Sequence, residues 1–209
     1  MAHVTPFSLF TEFDINLFKA GKHYRLYEKF GSHLETVNGI EGTYFAVWAP
    51  SAKQVSVIGD FNYWIEGEHQ LNVRWDSSGI WEGFIPAVGK GNIYKYKIQS
   101  HHNDIKTEKA DPYARRAEHP PNTASIVWDD NYKWKDSKWM KNRKKNNALD
   151  APYSVYEVHL GSWKKHVEED RFLSYFELAD ELVNYVKEMN FTHVELMPIM
   201  EFPYDPSWG

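Results

Sequence analysis

The chain has 209 residues, room for one or two domains, and 42% hydrophobic with 16% aromatic residues are enough to build a core. Its 24 Lys and Arg against 29 Asp and Glu leave a net charge of −5, so no basic field is available to hold a nucleic acid. Cysteine is absent, which excludes a disulfide scaffold and thiolate-ligated zinc and fits a reducing, cytoplasmic setting.

The opening MAHVTPFSLF lacks the basic and apolar regions of a secretion signal. Residues Thr11 to Phe30 predict a short helix and a turn. Phe10, Phe13, Leu17 and Phe18 recur at helical spacing, and Gly21 is a helix stop. From Gly42 the period becomes two. Phe45, Val47 and Ala49 alternate with Tyr44, Ala46 and Trp48, and two apolar faces predict a strand covered on both sides. Val55 and Val57 alternate with Gln54 and Ser56, Leu71, Val73 and Trp75 with Asn72 and Arg74, and Tyr94, Tyr96 and Ile98 with Lys95 and Lys97. Turn-forming residues separate these runs, as at Gly59-Asp60-Phe61-Asn62 and Asp76-Ser77-Ser78-Gly79. Short strands at such intervals predict an all-β, immunoglobulin-like antiparallel sandwich.

Residues 110–128 carry three prolines and read as irregular, with one more strand near Ala124 to Val127. The Lys- and Asn-rich stretch 133–150 is weakly periodic and reads as a solvated linker. Beyond it, Tyr153 to Leu160 (YSVYEVHL) reads as a buried strand. Ser174 to Glu177 has capping-box form, and Phe172, Phe176, Ala179, Leu182, Val183, Val186 and Met189 follow at helical spacing. Thr192 to Met197 (THVELM) reads as a second buried strand. Strand, helix and parallel strand make a βαβ unit. No apolar run approaches the roughly 18 residues of a membrane span.

Nucleophile-elbow, phosphate-loop, dinucleotide and zinc-protease motifs are missing, the histidines do not cluster as metal ligands, and no cofactor is expected. The aromatic load, with nine Trp and thirteen Tyr, suits sugar binding, because flat rings with a polar edge stack on pyranose faces. Glycoside chemistry needs two carboxylates flanking the scissile bond. Glu157 and Glu195 lie on the two late strands, but mid-strand, where a hydrogen-bonded structural role is expected. Glu201 and Asp205 lie past a strand end, where barrel sites are built.

Longer motifs carry a family resemblance. VELMPIMEFPYDPSWG (194–209) and YEVHLGSW (156–163) resemble the second and first barrel strands of glycogen (1,4-α-glucan) branching enzymes of the α-amylase superfamily. FDINLFKAGKHYRLYEKFG (13–31), FAVWAPSAKQVSVIGDFNYW (45–64) and KADPYARR (109–116) are similar to the sugar-binding module of these enzymes, carbohydrate-binding module 48. The first of these and the SWG ending favour a branching enzyme over the related isoamylases and trehalohydrolases. The alternative readings are a stand-alone α-glucan-binding module or the N-terminal part of such an isoamylase or trehalohydrolase.

The resemblance implies three parts: a sugar-binding β-sandwich with a leading helix over 1–132, a linker over 133–150, and over 151–209 the first β-α-β of an incomplete (β/α)8 barrel. It implies α-1,4 bond cleavage and transfer of the fragment to a 6-hydroxyl, with glycogen, amylose and maltooligosaccharides as partners beside the rest of the barrel. The family's catalytic Asp, Glu and Asp follow the fourth, fifth and seventh strands. No catalytic residue is therefore expected in this chain, and no turnover by it alone. The resemblance makes Trp64 a ring that stacks on glucose and Lys95 a hydroxyl-binding cation, with Glu201, Asp205 and Trp208 bordering the glucan cleft. Trp75 and Trp81 are lesser candidates.

Overall fold

A computed structural model describes residues 3–200. The chain divides into two compact units, the first ending at Tyr132 and the second beginning at Lys133.

In the first unit, α1 (Glu12–Lys19) opens on a capping box. The Thr11 hydroxyl accepts from the Asp14 N–H, and the Asp14 carboxylate accepts from the Thr11 N–H. The helix closes at Gly21, whose left-handed φ of 65° lets its N–H and that of Lys22 reach back to Phe18 and Leu17. Then follow β1 (Gly31–Val37), β2 (Ile40–Trp48), β3 (Ala52–Gly59), β4 (Asn72–Val73), β5 (Ile80–Pro86), β6 (Ile93–Ser100), β7 (Lys106–Lys109), β8 (Arg116–Ala117) and β9 (Ser125–Ile126). One sheet has the order β1-β2-β5-β4. The other runs β3-β6-β9-β8, with β7 also paired to β6. All these pairings are antiparallel.

The two sheets face each other across Phe45, Val47, Val55, Val57, Trp81, Ile85, Tyr94 and Tyr96. The other face of β2 is also covered, as its double alternation requires. Tyr44 and Ala46 pack with Ile80 of β5 against Phe10, Ile15 and Phe30 of the leading segment. Glu82 is buried on this face, where its carboxylate accepts from the Tyr44 hydroxyl at 2.6 Å and the Ser8 hydroxyl at 2.8 Å and pairs with Arg74. A buried charge persists only when so partnered.

The second unit contains α2 (Ser137–Asn146), β10 (Val155–Val158), α3 (Leu160–Trp163), the short pair β11 (Lys165–His166) and β12 (Arg171–Phe172), α4 (Tyr175–Glu188) and β13 (His193–Leu196). β10 and β13 pair in parallel, and α4 makes the crossover. Ser174 and Glu177 form the expected capping box. Val158, Leu182 and Val186 form its apolar centre, flanked by Tyr156, Leu160, Trp163 and Phe191. No described helix is long and apolar enough to cross a membrane.

Several expectations need correction. Phe13 is exposed and Ile15 takes the buried place, because the helix begins at Glu12 and its inward stripe runs through Ile15 and Phe18. On α4 the inward row is Leu178, Leu182 and Val186, at successive i, i+4 positions. Phe176, two residues off that row, is 88% exposed, and Phe172, Val183 and Met189 are exposed too. The run Leu71, Val73, Trp75 is not a full strand. Only Asn72–Val73 pair, because the Arg74–Asp76 ion pair and the Ser77 left-handed turn end the ladder. Within the stretch 133–150, read from sequence as a solvated linker, Ser137–Asn146 form the exposed, Lys-rich helix α2, which buries no side chain and leaves that reading uncontradicted.

Candidate functional site

β3 ends at Gly59, where only glycine fits. A Cβ there would lie 2.2 Å from the Ile93 carbonyl oxygen and 2.6 Å from the Phe61 ring. A single 3-10 turn, Asp60–Asn62, follows. Asn62 is buried and fixes it. Its Oδ1 accepts from the Gly59 N–H at 2.8 Å, its Nδ2 donates to the Val57 carbonyl at 2.9 Å, and the same nitrogen lies 2.9 Å from His69 Nδ1. Asp60 accepts from Asn92 Nδ2 at 3.0 Å, which ties the turn to the approach of β6.

Tyr63 and Trp64 come next, both left-handed with φ of 53° and 62°. Such a conformation costs a non-glycine residue about 1–2 kcal/mol. The backbone is held there by the Trp64 N–H bonded to the Gly59 carbonyl at 2.9 Å and the Ile65 N–H to the Asn62 carbonyl at 3.0 Å. The outcome is two aromatic rings presented by one rigid turn, Tyr63 84% exposed and Trp64 40% exposed.

Lys95 lies opposite Ile58 on the β3–β6 ladder, one rung from the Gly59–Tyr94 pair that leads into the turn. Trp64 and Lys95 therefore belong to the same end of this sheet. The Lys95 Nζ donates to Thr123 Oγ1 at 2.8 Å, and the adjoining Ala124 N–H is held by Glu118 Oε2 at 3.0 Å. Tyr63, exposed beside Trp64, and Thr123, which holds Lys95, were not singled out from the sequence. Tyr63 had a signal in its place beside Trp64. Thr123, 28 residues from Lys95, had none. Of the lesser candidates, Trp75 is exposed. Trp81 is core: it is 6% exposed and its Nε1 donates to the Ala49 carbonyl at 3.1 Å, so neither ring face is open to a ligand. Glu201, Asp205 and Trp208 lie outside the described residues.

Beneath the site, Asp111 is buried between the β6 tyrosines. It accepts from the Tyr94 hydroxyl at 2.6 Å, the Tyr96 hydroxyl at 3.2 Å and the Tyr113 N–H at 2.8 Å. Burial pushes its carboxyl pKa up, and burial together with the Asp111 charge pushes both tyrosines up. This cluster fixes the strand that carries Lys95. In the second unit, Glu157 and Glu195 are register partners and both exposed, as are Val194 and Leu196 on the other face of β13, the strand expected to be buried. Among the described residues no group of three or more His, Cys, Asp or Glu is placed to hold a metal ion.

Two exposed rings on one turn and, at the same end of the sheet, an ammonium held by a hydroxyl are groups that suit a polyhydroxyl ligand. Residues 29–114 match the family carbohydrate-binding module 48 (isoamylase N-terminal domain). The chain is 52% identical over 204 residues to a protein of Gloeobacter violaceus named 1,4-alpha-glucan branching enzyme GlgB, covering 97% of this chain and 28% of that protein. The same identity over the same share of the chain relates it to the enzyme of that name from Aquifex aeolicus, of which it covers 32%. The chain thus spans less than a third of the length of these relatives. Among solved structures, Klebsiella pneumoniae pullulanase complexed with maltotriose has a similar fold, with a TM-score of 0.58 at 23% identity, covering 83% of this chain and 18% of that one.

Proposed function

We propose that this chain, whose residues 29–114 match the carbohydrate-binding module 48 family and which is 52% identical over 204 residues to a 1,4-alpha-glucan branching enzyme, is the glucan-binding and barrel-opening part of such an enzyme. That identity is the observation that carries the reading, because it extends through both units rather than stopping at the module.

In this reading residues 1–132 bind α-1,4-glucan, 133–150 link, and 151–209 begin a (β/α)8 barrel. Trp64 stacks on a glucose ring, and Lys95, oriented by Thr123, donates to sugar hydroxyls. Glu201, Asp205 and Trp208 border the glucan cleft of the barrel. The parallel β10–β13 pair, crossed over by α4, is the unit from which such barrels are built. Glu157 and Glu195 face the same side of that pair, where adjoining like charges need hydrogen-bonding neighbours, so a polar interior layer suits them better than catalysis. The whole enzyme cleaves an α-1,4 bond through a covalent glycosyl ester on one carboxylate, with a second as acid and base, and delivers the fragment to a 6-hydroxyl. The 209-residue chain alone supplies the binding and not the turnover, and it acts in the cytoplasm.

Native gels containing glycogen test this. The purified chain is expected to be retarded, and Trp64→Ala and Lys95→Ala to lessen the retardation without altering mobility in plain gels. An unretarded chain with a normal unfolding transition contradicts glucan binding. Branch formation on amylose by the chain alone contradicts its assignment as a binding part.

A further inference from the structure

We infer that the turn after β3 carries a second glucosyl subsite, separate from the Trp64 face, in the cavity that Tyr63 walls. It rests on the α-glucan reading above and adds a position to it. The cavity has a volume of about 300 Å³, and its lining includes Phe61, Tyr63, Glu68, His69, Pro86 and Val88. Trp64, the next residue along the turn, is not part of that lining. The size lies at the lower end of small-molecule sites, which run about 300–1,000 Å³, and fits one sugar ring rather than a drug-sized ligand.

The chemistry of the lining selects the occupant. Phe61, Pro86 and Val88 make an apolar floor, and Tyr63, whose backbone is left-handed, supplies an exposed ring at its wall. A pyranose presents an apolar face to such a ring and a rim of hydroxyls to its surroundings. Glu68, half-buried, is an acceptor for that rim. His69 Nδ1 is committed to Asn62 and so holds the floor in place. The lining contains a carboxylate and neither lysine nor arginine. It therefore fits a neutral glucosyl unit and repels a sugar phosphate. Two rings on consecutive residues let one glucan chain engage both sides of the turn. That use accounts for two left-handed aromatic residues in a row, a conformation that burial does not repay for Tyr63.

Calorimetric titration of the full chain with maltoheptaose tests the inference. Tyr63→Asn removes the ring and keeps a residue that tolerates the left-handed backbone. It is expected to weaken binding about five- to tenfold, and Tyr63→Phe to restore it, because the stacking surface returns. Glu68→Ala removes the acceptor without changing a residue of the left-handed turn and is also expected to weaken binding. It carries the test if Tyr63→Asn fails to fold. If Tyr63→Asn and Glu68→Ala bind as the parent does while Trp64→Ala binds more weakly, the second subsite is wrong and the module reading stands. If the folded parent binds no maltoheptaose, both fall.

Discussion

Replacing Asp111 with Ala removes the acceptor that three donors share inside the sandwich. The Tyr94 hydroxyl and the Tyr113 N–H lose their partner, while the Tyr96 hydroxyl retains the Ala46 carbonyl at 3.3 Å. Each buried donor left unsatisfied costs about 1–3 kcal/mol. Relief of the carboxylate's own desolvation offsets part of this, so the net loss is about 2–4 kcal/mol, equivalent to lowering Tm by about 10 °C for a unit of this size. Asp111→Asn keeps an acceptor for Tyr113 and offers an amide donor to the Tyr94 oxygen, and costs less. The pH dependence separates the two contributions. Burial raises the folded-state pKa of Asp111 above its unfolded value, so its contribution is fully present below that unfolded value, near 4, and is lost as pH rises through the raised pKa. Urea unfolding followed by tyrosine and tryptophan emission should show the parent losing stability relative to Asp111→Asn over that rise. An Ala variant as stable as the parent, or a parallel pH response in the Asn variant, would refute the account of this cluster.

Other consequences are as direct. Gly59→Ala should destabilise the first unit by about 1–3 kcal/mol and weaken glycogen retardation together, since its Cβ must displace the Phe61 ring or the Ile93 carbonyl on which the turn rests. Unchanged stability in urea would mean that the turn is not held as described. Asp14 behaves oppositely to Asp111. Desolvation raises its pKa, but bonds from the Thr11 N–H and hydroxyl, His23 and Lys29 outweigh this and hold the carboxyl well below the usual range. Its contribution is therefore present above the ordinary carboxylate value and lost as pH falls through the depressed one. The urea midpoint of the parent should fall more steeply than that of Asp14→Asn in acid below about pH 4.

The double alternation of β2 was legible because both its faces are buried, one between the sheets and one beneath the leading segment. The βαβ unit was legible too, since a capping box and apolar spacing mark α4 without any tertiary information. What sequence could not decide was which of two nearby aromatic or aliphatic residues turns inward. Trp81 is core and Trp64 surface, Ile15 is core and Phe13 surface, Leu178 is core and Phe176 surface. Hydropathy is nearly equal within each pair, and the choice belongs to helix phase and strand register. Helix α2 was hidden for another reason. It buries nothing, so no apolar period marks it, and its backbone bonds are purely local. At the candidate site the Trp64 turn could be read from contiguous residues. The Lys95–Thr123 contact, and the cavity that joins Tyr63 to Pro86 and Val88, arise only when separate strands meet.

Glucan selectivity tests the central claim most directly. Maltoheptaose and cellohexaose, α- and β-linked glucose oligomers, would be titrated into the full chain and its Trp64→Ala variant. The account predicts saturable binding of the α-linked oligomer alone, weakened about tenfold or more by the substitution. Equal binding of both oligomers, or α-glucan binding indifferent to Trp64, would contradict it.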